Sequence, residues 1–149
     1  MDEYIIPEAI GGQTVVGIEK DESETYGWDP VRNLVMPETI TCIGTGAFEY
    51  TTFDSLVFSE NITKVGSGAF QYANVKDLNL PDGVEAIERS TFNHATFETI
   101  HLPAKLKVIG GYAFANSSLT QLELPYGVET IMSSAFCDST LESIVLPNS

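Results

Sequence analysis

The chain has 149 residues, 21 of them acidic against 7 basic, and a formal net charge of −14. That length suits one domain with its own core. The charge argues against nucleic acid, whose binding needs Lys and Arg to release counterions, and against an anionic membrane surface. No stretch reaches 18 apolar residues, so no membrane insertion is predicted.

Residues 1–33 read as a degenerate capping turn for the array that follows. Ile6-Pro7-Glu8 matches Met36-Pro37-Glu38, and Val15 to Ile18 matches Ile40 to Ile43. The gap between these two parts is 5 residues longer than in later units and holds Ile10-Gly11-Gly12-Gln13. An Ala-Phe segment is missing, and the polar loop 19–33 stands in its place. The loop carries Tyr26 and the sole tryptophan, Trp28. Either these rings cover the open end of a core, or they form a contact site on a loop. Asp21, Ser23, Thr25 and Gly27 resemble the start of a calcium loop, but the glycine is one place late and no Glu closes it. No metal is expected there.

From Leu34 onward the sequence repeats every 22 residues, without insertion or deletion. Ala47-Phe48, Ala69-Phe70, Thr91-Phe92, Ala113-Phe114 and Ala135-Phe136 mark five full units, and a sixth begins near Ile144. Apolar columns run through Ile40, Ile62, Val84, Leu106 and Val128, and through Ile43, Val65, Ile87, Ile109 and Ile131. One unit cannot bury such side chains alone, whereas stacked units bury every column together. Leu56-x-Phe58 and its copies alternate as short strands do. They run in one direction, so one parallel sheet is expected. Pro37, Pro81, Pro103, Pro125 and Pro147 end these strands, with Ser59 in the second unit. Gly83, Gly127 and Asn61 two places later suggest a left-handed backbone. No helix of useful length fits between strands, so short second strands and 3₁₀-like turns are expected.

The pattern Leu-x-x-[Val/Ile]-x-Leu-Pro, then Ile-Gly-x-x-Ala-Phe, resembles the BspA-like leucine-rich repeats. Leu102-Pro103, Ile109-Gly110 and Ala113-Phe114 carry it in one unit, and Ile43-Gly44 with Ala47-Phe48 in another. The resemblance implies a leucine-rich-repeat solenoid, mainly β, with right-handed 22-residue turns. It also implies a surface or secreted adhesion-type module of host-associated bacteria and some protists, without catalytic residues. Ser59 for Pro, Thr91 for Ala, and Glu88 and Met132 for Gly depart from the pattern.

Few residues could carry chemistry. His94 and His101 are the only histidines, at different repeat positions and with no cysteine nearby. Neither a zinc site nor a nucleophilic triad follows from them, so no enzyme, metal or cofactor is expected. Cys42 and Cys137 lie four steps apart, roughly 19 Å at strand spacing, too far for a disulfide. Glu38, Glu60 and Asp82 share an acidic column that reads best as a solvated edge. Asn61-Ile62-Thr63 and Asn116-Ser117-Ser118 match the glycosylation pattern, but the repeat requires such residues anyway.

Two columns are candidates for contact. Tyr50, Tyr72 and His94, continued by Asn116 and Asp138, are neither apolar nor small and should face outward. They form a binding ladder of rings, or each ring only packs on its neighbour. The outward strand column reads Val35, Val57, Asn79, His101, Glu123 and Val145. Its paired valines suggest a partner surface. At the far end Ile144, Val145 and Leu146 form an apolar edge strand, expected to support weak self-association.

The expected function is non-catalytic protein binding, as an adhesion module of a bacterial surface protein. The alternative is a small acidic intracellular inhibitor or decoy on a basic site of its partner. Residues 1–30 lack the regions of a signal peptide. The expected location is the cytoplasm if Met1 is the native start, and the cell surface or exterior if a longer precursor exists.

Overall fold

Each unit contributes the same few strand residues, and equivalent strands of successive units pair in parallel one period apart. The computed structural model describes residues 4–20 and 32–147. Leu34 pairs with Leu56, Leu78 with Ile100, and Leu122 with Ile144. A second limb pairs Ile18 with Ile43, Ile43 with Val65, Ile87 with Ile109, and Ile109 with Ile131. Among the described residues no helix forms. The result is a β-solenoid of short parallel strands and tight turns.

The first turn stacks Tyr4 on Leu34 and Ile5 on Val35, and buries Ile6 and Ile18. The five extra residues make room for a β-hairpin, Ala9–Ile10 against Gln13–Thr14. Gly11 and Gly12 make the two-residue loop at φ 58° and 82°. A tight hairpin of this type needs two consecutive positive φ values, which glycine alone adopts without strain.

The core is one column of rings with aliphatic columns around it. Phe48, Phe70, Phe92, Phe114 and Phe136 stack with centroids 5.2–5.6 Å apart. The first four are wholly buried, and Phe136 is half-buried at the open end. Phe53 and Phe97 meet this column edge-on. Tilted and stacked rings avoid face-to-face repulsion of their π clouds.

The turns hold two corrections. The turn after each strand is closed by a bond to the residue three places back, Ile40 N–H to Pro37 O and likewise Ile62 to Ser59, Val84 to Pro81, Leu106 to Pro103 and Val128 to Pro125. Asn61, Gly83 and Gly127, expected to be left-handed, are absent from the positive-φ residues. A type I turn keeps φ negative at its third position. Gly83 serves proximity instead, since a Cβ there would lie 3.0 Å from Ile62 O. Ser59 takes the proline's place with its hydroxyl accepting the Asn61 N–H at 3.1 Å.

The second correction concerns the strand ladder, which is not one continuous sheet. Met36 N–H reaches Val57 O, Leu80 N–H reaches His101 O, and Leu124 N–H reaches Val145 O. Among the described residues neither Phe58 nor Leu102 makes the equivalent bond, so the first limb splits into three blocks. The limb that carries the phenylalanines has no such break. Phe48, Phe70, Phe92 and Phe114 each donate their N–H to the next turn at 2.7–2.9 Å.

The second limb also opens once. A Cβ on Gly66 would meet the Gly44 carbonyl carbon and the Thr45 nitrogen at 2.7 Å. Glu88 stands in the same column one turn on, and the bond that Gly66 N–H makes to Ile43 O has no counterpart from Glu88 to Val65. Met132 also carries a Cβ yet keeps its bond to Ile109 O. Thr91 departs in the same unit as Glu88, and its hydroxyl donates to Glu88 O at 2.9 Å. The buried threonine hydroxyl thereby has an acceptor within its own turn.

Candidate functional site

The ring ladder begins in the turns around the buried phenylalanines. Thr51, Ala73, Ala95 and Ser117 donate their N–H groups back to Phe48, Phe70, Phe92 and Phe114. The third residue of each such turn is Tyr50, Tyr72, His94 or Asn116, with φ between 55° and 60°. Asp138 follows at 53°. Bulky side chains rarely occupy this left-handed region. Here the backbone is held from both sides, because Tyr50, Tyr72 and His94 donate their N–H to the next turn at 2.9 Å. Strain of this kind persists only where the surroundings over-determine it, and it concentrates at functional sites.

The rings form a continuous stack. Tyr50 lies 4.7 Å from Tyr72 at 7°, and Tyr72 lies 4.5 Å from His94 at 9°. Tyr50 is 51% exposed and Tyr72 is 40% exposed. The middle ring, Tyr72, has both faces covered by its neighbours. What remains for a partner is a row of edges, with two phenol hydroxyls and an imidazole in line. Lys20 and Glu49 pair at 2.6 Å beside Tyr50.

The outward strand column is separate from this ladder. Val57 is exposed, Val35 is half-buried, and His101 is exposed at the end of the strand Thr96–His101. His94 and His101 lie seven residues apart along extended chain, roughly 20 Å, and form no common site. Tyr26 and Trp28 lie outside the described residues. Among the described residues no group of three His, Cys, Asp or Glu side chains converges on a point where a metal could bind. Cys42 and Cys137 are both free thiols. Asp138 accepts the Cys137 S–H at 3.1 Å, and this bond, with desolvation and the carboxylate's charge, pushes the thiol above its usual pKa.

Sequence reasoning missed Tyr112. It too is left-handed, at φ 58°, and 40% exposed, with the Arg89 guanidinium 5.4 Å from its ring centre. Its column otherwise reads Gly46, Gly68, Ser90 and Ser134, all with positive φ. Gly46 and Gly68 were the available signal, since Tyr112 occupies a glycine position. A further groove of about 740 Å³ lies at the opening beside Glu88, lined by Lys64, Gly66 and Glu85 among others.

Charge is unevenly distributed over this surface. Lys20, Arg32, Lys76 and Lys107 pair with Glu49, Asp54, Glu98 and Glu85. Lys107 and Glu85 sit one turn apart at 2.8 Å, a bond that lowers the Glu85 pKa and raises that of Lys107. Four of the seven basic residues are thus engaged, and the acidic surplus remains on the surface.

Comparison with known proteins places this architecture. A family model described as a BspA type leucine rich repeat region matches residues 22–142 in 6 copies. The match begins inside the polar loop, where Trp28 stands 22 residues before Tyr50. The crystal structure of the pneumococcal vaccine antigen PcpA superposes with a TM-score of 0.80 at 23% identity, over 96% of this chain and 40% of that one. A leucine rich cell surface protein from Faecalibacterium prausnitzii gives 0.64 at 21%, over 95% of this chain and 46% of that one. A leucine rich repeat protein from T. pallidum gives 0.50 at 25%, over 94% and 56%. No curated protein sequence matches the chain. It spans less than half the length of the first two of these structures. Period, ring column, parallel ladders and family match agree: the chain belongs to the BspA-type leucine-rich-repeat family.

Proposed function

We propose that this chain is a non-catalytic protein-binding module of a bacterial surface protein, and that the ladder Tyr50–Tyr72–His94 is its contact surface. The observation that carries the reading is three exposed, stacked rings held in a left-handed backbone. A purely structural turn would use Gly or Asn there, as Asn116 does. Tyrosine supplies large contact area at low entropy cost. Val35, Val57 and His101 form a secondary surface, and Tyr26 and Trp28 belong to the loop beyond the described residues. Two similar structures are named as a vaccine antigen and a cell surface protein, which supports an adhesion role at the surface.

The test is binding of labelled protein to cultured epithelial cells, by flow cytometry. A Tyr50→Asn/Tyr72→Asn variant should lose about tenfold or more in apparent affinity, the size of a hot-spot loss. Its melting temperature should stay within a few degrees, because Asn tolerates the left-handed turn. Unchanged cell binding would remove the ladder from the interface.

The net charge of −14 favours a second reading, an acidic inhibitor or decoy. That protein would bind a basic protein such as lysozyme in a strongly salt-dependent way and would ignore cells.

A further inference from the structure

The wider break in the strand ladder lies between the strands Thr96–His101 and Gln121–Glu123. It opens a groove of about 730 Å³. The opening is bounded at both ends. Ser118 N–H holds Ala95 O at 3.1 Å on one side, and Glu129 N–H holds Lys107 O at 2.8 Å on the other. Between these ties the Cα atoms of the two strands are almost all more than 8 Å apart, against about 4.8 Å for a bonded pair. The Ser118 hydroxyl accepts the Phe97 N–H at 3.2 Å. Serine hydroxyls compete for backbone groups in this way and divert them from a ladder.

The walls of the groove are main chain. In the bonded blocks Leu80 and Leu124 donate forward, to His101 O and Val145 O. The same alternation turns the N–H and C=O groups of Ile100 and Leu102 into the gap from one side. It turns those of Gln121 and Glu123 into it from the other. Leu102, Leu119 and Leu124 line the groove, together with the carboxylates Glu98 and Glu123. Among the described residues no Lys or Arg lines it, and His101 is its third titratable group. Lys76 stands 3.9 Å from Glu98, but both are exposed and such a pair binds weakly.

We propose that this gap is a slot for an extended, Lys- or Arg-bearing segment of a partner protein, which docks as an added strand between Thr96–His101 and Gln121–Glu123. The two facing strand edges and the groove of about 730 Å³ between them offer unpaired main-chain groups to one chain, which on insertion sets the outer strands about 9.6 Å apart. Main-chain bonds supply affinity in this mode, and alternate side chains supply selectivity. Basic side chains reach Glu98 and Glu123, and the intervening apolar ones rest on Leu102 and Leu124. The smaller break, between Ser55–Val57 and Asn74–Asn79, holds only about 240 Å³, a third of the space at the wider one. The proposal rests on the reading of the chain as a protein-binding module and names the chemistry of the segment bound.

The experiment is amide hydrogen exchange by NMR on the full chain with a hexapeptide of alternating lysine and valine. The controls are a glutamate–valine peptide and a lysine–valine peptide methylated on alternate backbone nitrogens. The lysine peptide should slow exchange at Ile100, Leu102, Gln121 and Glu123 by about tenfold or more. Both controls should fail, and so should the lysine peptide on a Glu98→Gln/Glu123→Gln variant. The slot is refuted if these amides are already protected in the free chain, since the gap is then closed in solution. It is equally refuted if the methylated peptide binds as well, or if the lysine peptide perturbs only Tyr50 and Tyr72. The Tyr50→Asn/Tyr72→Asn variant should keep the peptide response while losing cell binding. Cell binding retained alongside a failed peptide response therefore overturns the slot alone.

Discussion

A tyrosine at φ near +60° costs about 1–2 kcal/mol relative to ordinary backbone. A stacked neighbour returns about 0.5–1.5 kcal/mol, and Tyr72 has a neighbour on each face. The two effects roughly balance, so ring identity in this column is decided by something other than stability. The outward position of the column was legible, because its residues are neither apolar nor small. Its backbone was not, because Tyr and His are the wrong residues for a left-handed turn. Asn116 and Asp138, which tolerate that conformation, were the signal available. The same scale gives a prediction at Cys137. Its raised pKa leaves less thiolate at neutral pH than an ordinary thiol has, and the thiolate is the reactive form. Asp138→Asn removes the charged acceptor and keeps a side chain suited to φ 53°. Alkylation of Cys137 by iodoacetamide at pH 7.5 should then run several-fold faster, with Cys42 as internal reference. An unchanged rate would mean that Asp138 does not govern the thiol.

At the scale of the element, the repeat columns predicted the stacking register residue for residue. Leu34 on Leu56 and Ile43 on Val65 follow from the 22-residue step alone. Phe92 is the clearest energetic test of that register. It is wholly buried between Phe70 and Phe114 at 5.6 and 5.2 Å. Phe92→Ala should cost about 3–5 kcal/mol, from lost burial plus the cavity left behind, read by chemical denaturation. A loss below about 1 kcal/mol would be that of an exposed ring. The breaks in the strand ladder were not legible. Leu80 and Leu102 occupy equivalent positions in units of equal length, yet only Leu80 bonds forward. What differs is three-dimensional: the Ser118 hydroxyl holds the Phe97 amide beside one break, and the Glu88 column opens another limb. A column pattern records side-chain type and is blind to where each N–H goes.

At the scale of the molecule the two ends differ. At the C-terminal end Ile131, Met132, Ile144, Val145 and Leu146 are all exposed. Three of these five, Ile131, Ile144 and Leu146, continue apolar columns of the interior, and Val145 continues the outward strand column. An apolar edge strand invites pairing, while the charge of −14 opposes it. Salt screens exposed charges beyond about 8 Å at physiological strength. Weak self-association should therefore grow with salt, and Val145→Lys should abolish it. Sedimentation velocity at several salt concentrations reads this directly, and a strict monomer throughout would mean that the edge does not pair.

The limb that carries the phenylalanines keeps its bonds between turns at every step, while the strand limb loses them twice. In a repeat array each turn touches only its neighbours, so stability is a sum over interfaces. The interfaces here are unequal. The one joining Leu56 to Leu78 has two limbs open, the strand limb and the limb of Val65 and Ile87, and the one joining Ile100 to Leu122 has the strand limb alone open. Fluctuation is then directed to two internal seams, and segments between seams open as units. The array behaves like a spine with two hinges. It can widen on its strand side while the ring column holds, so its curvature can be set by whatever occupies the seams.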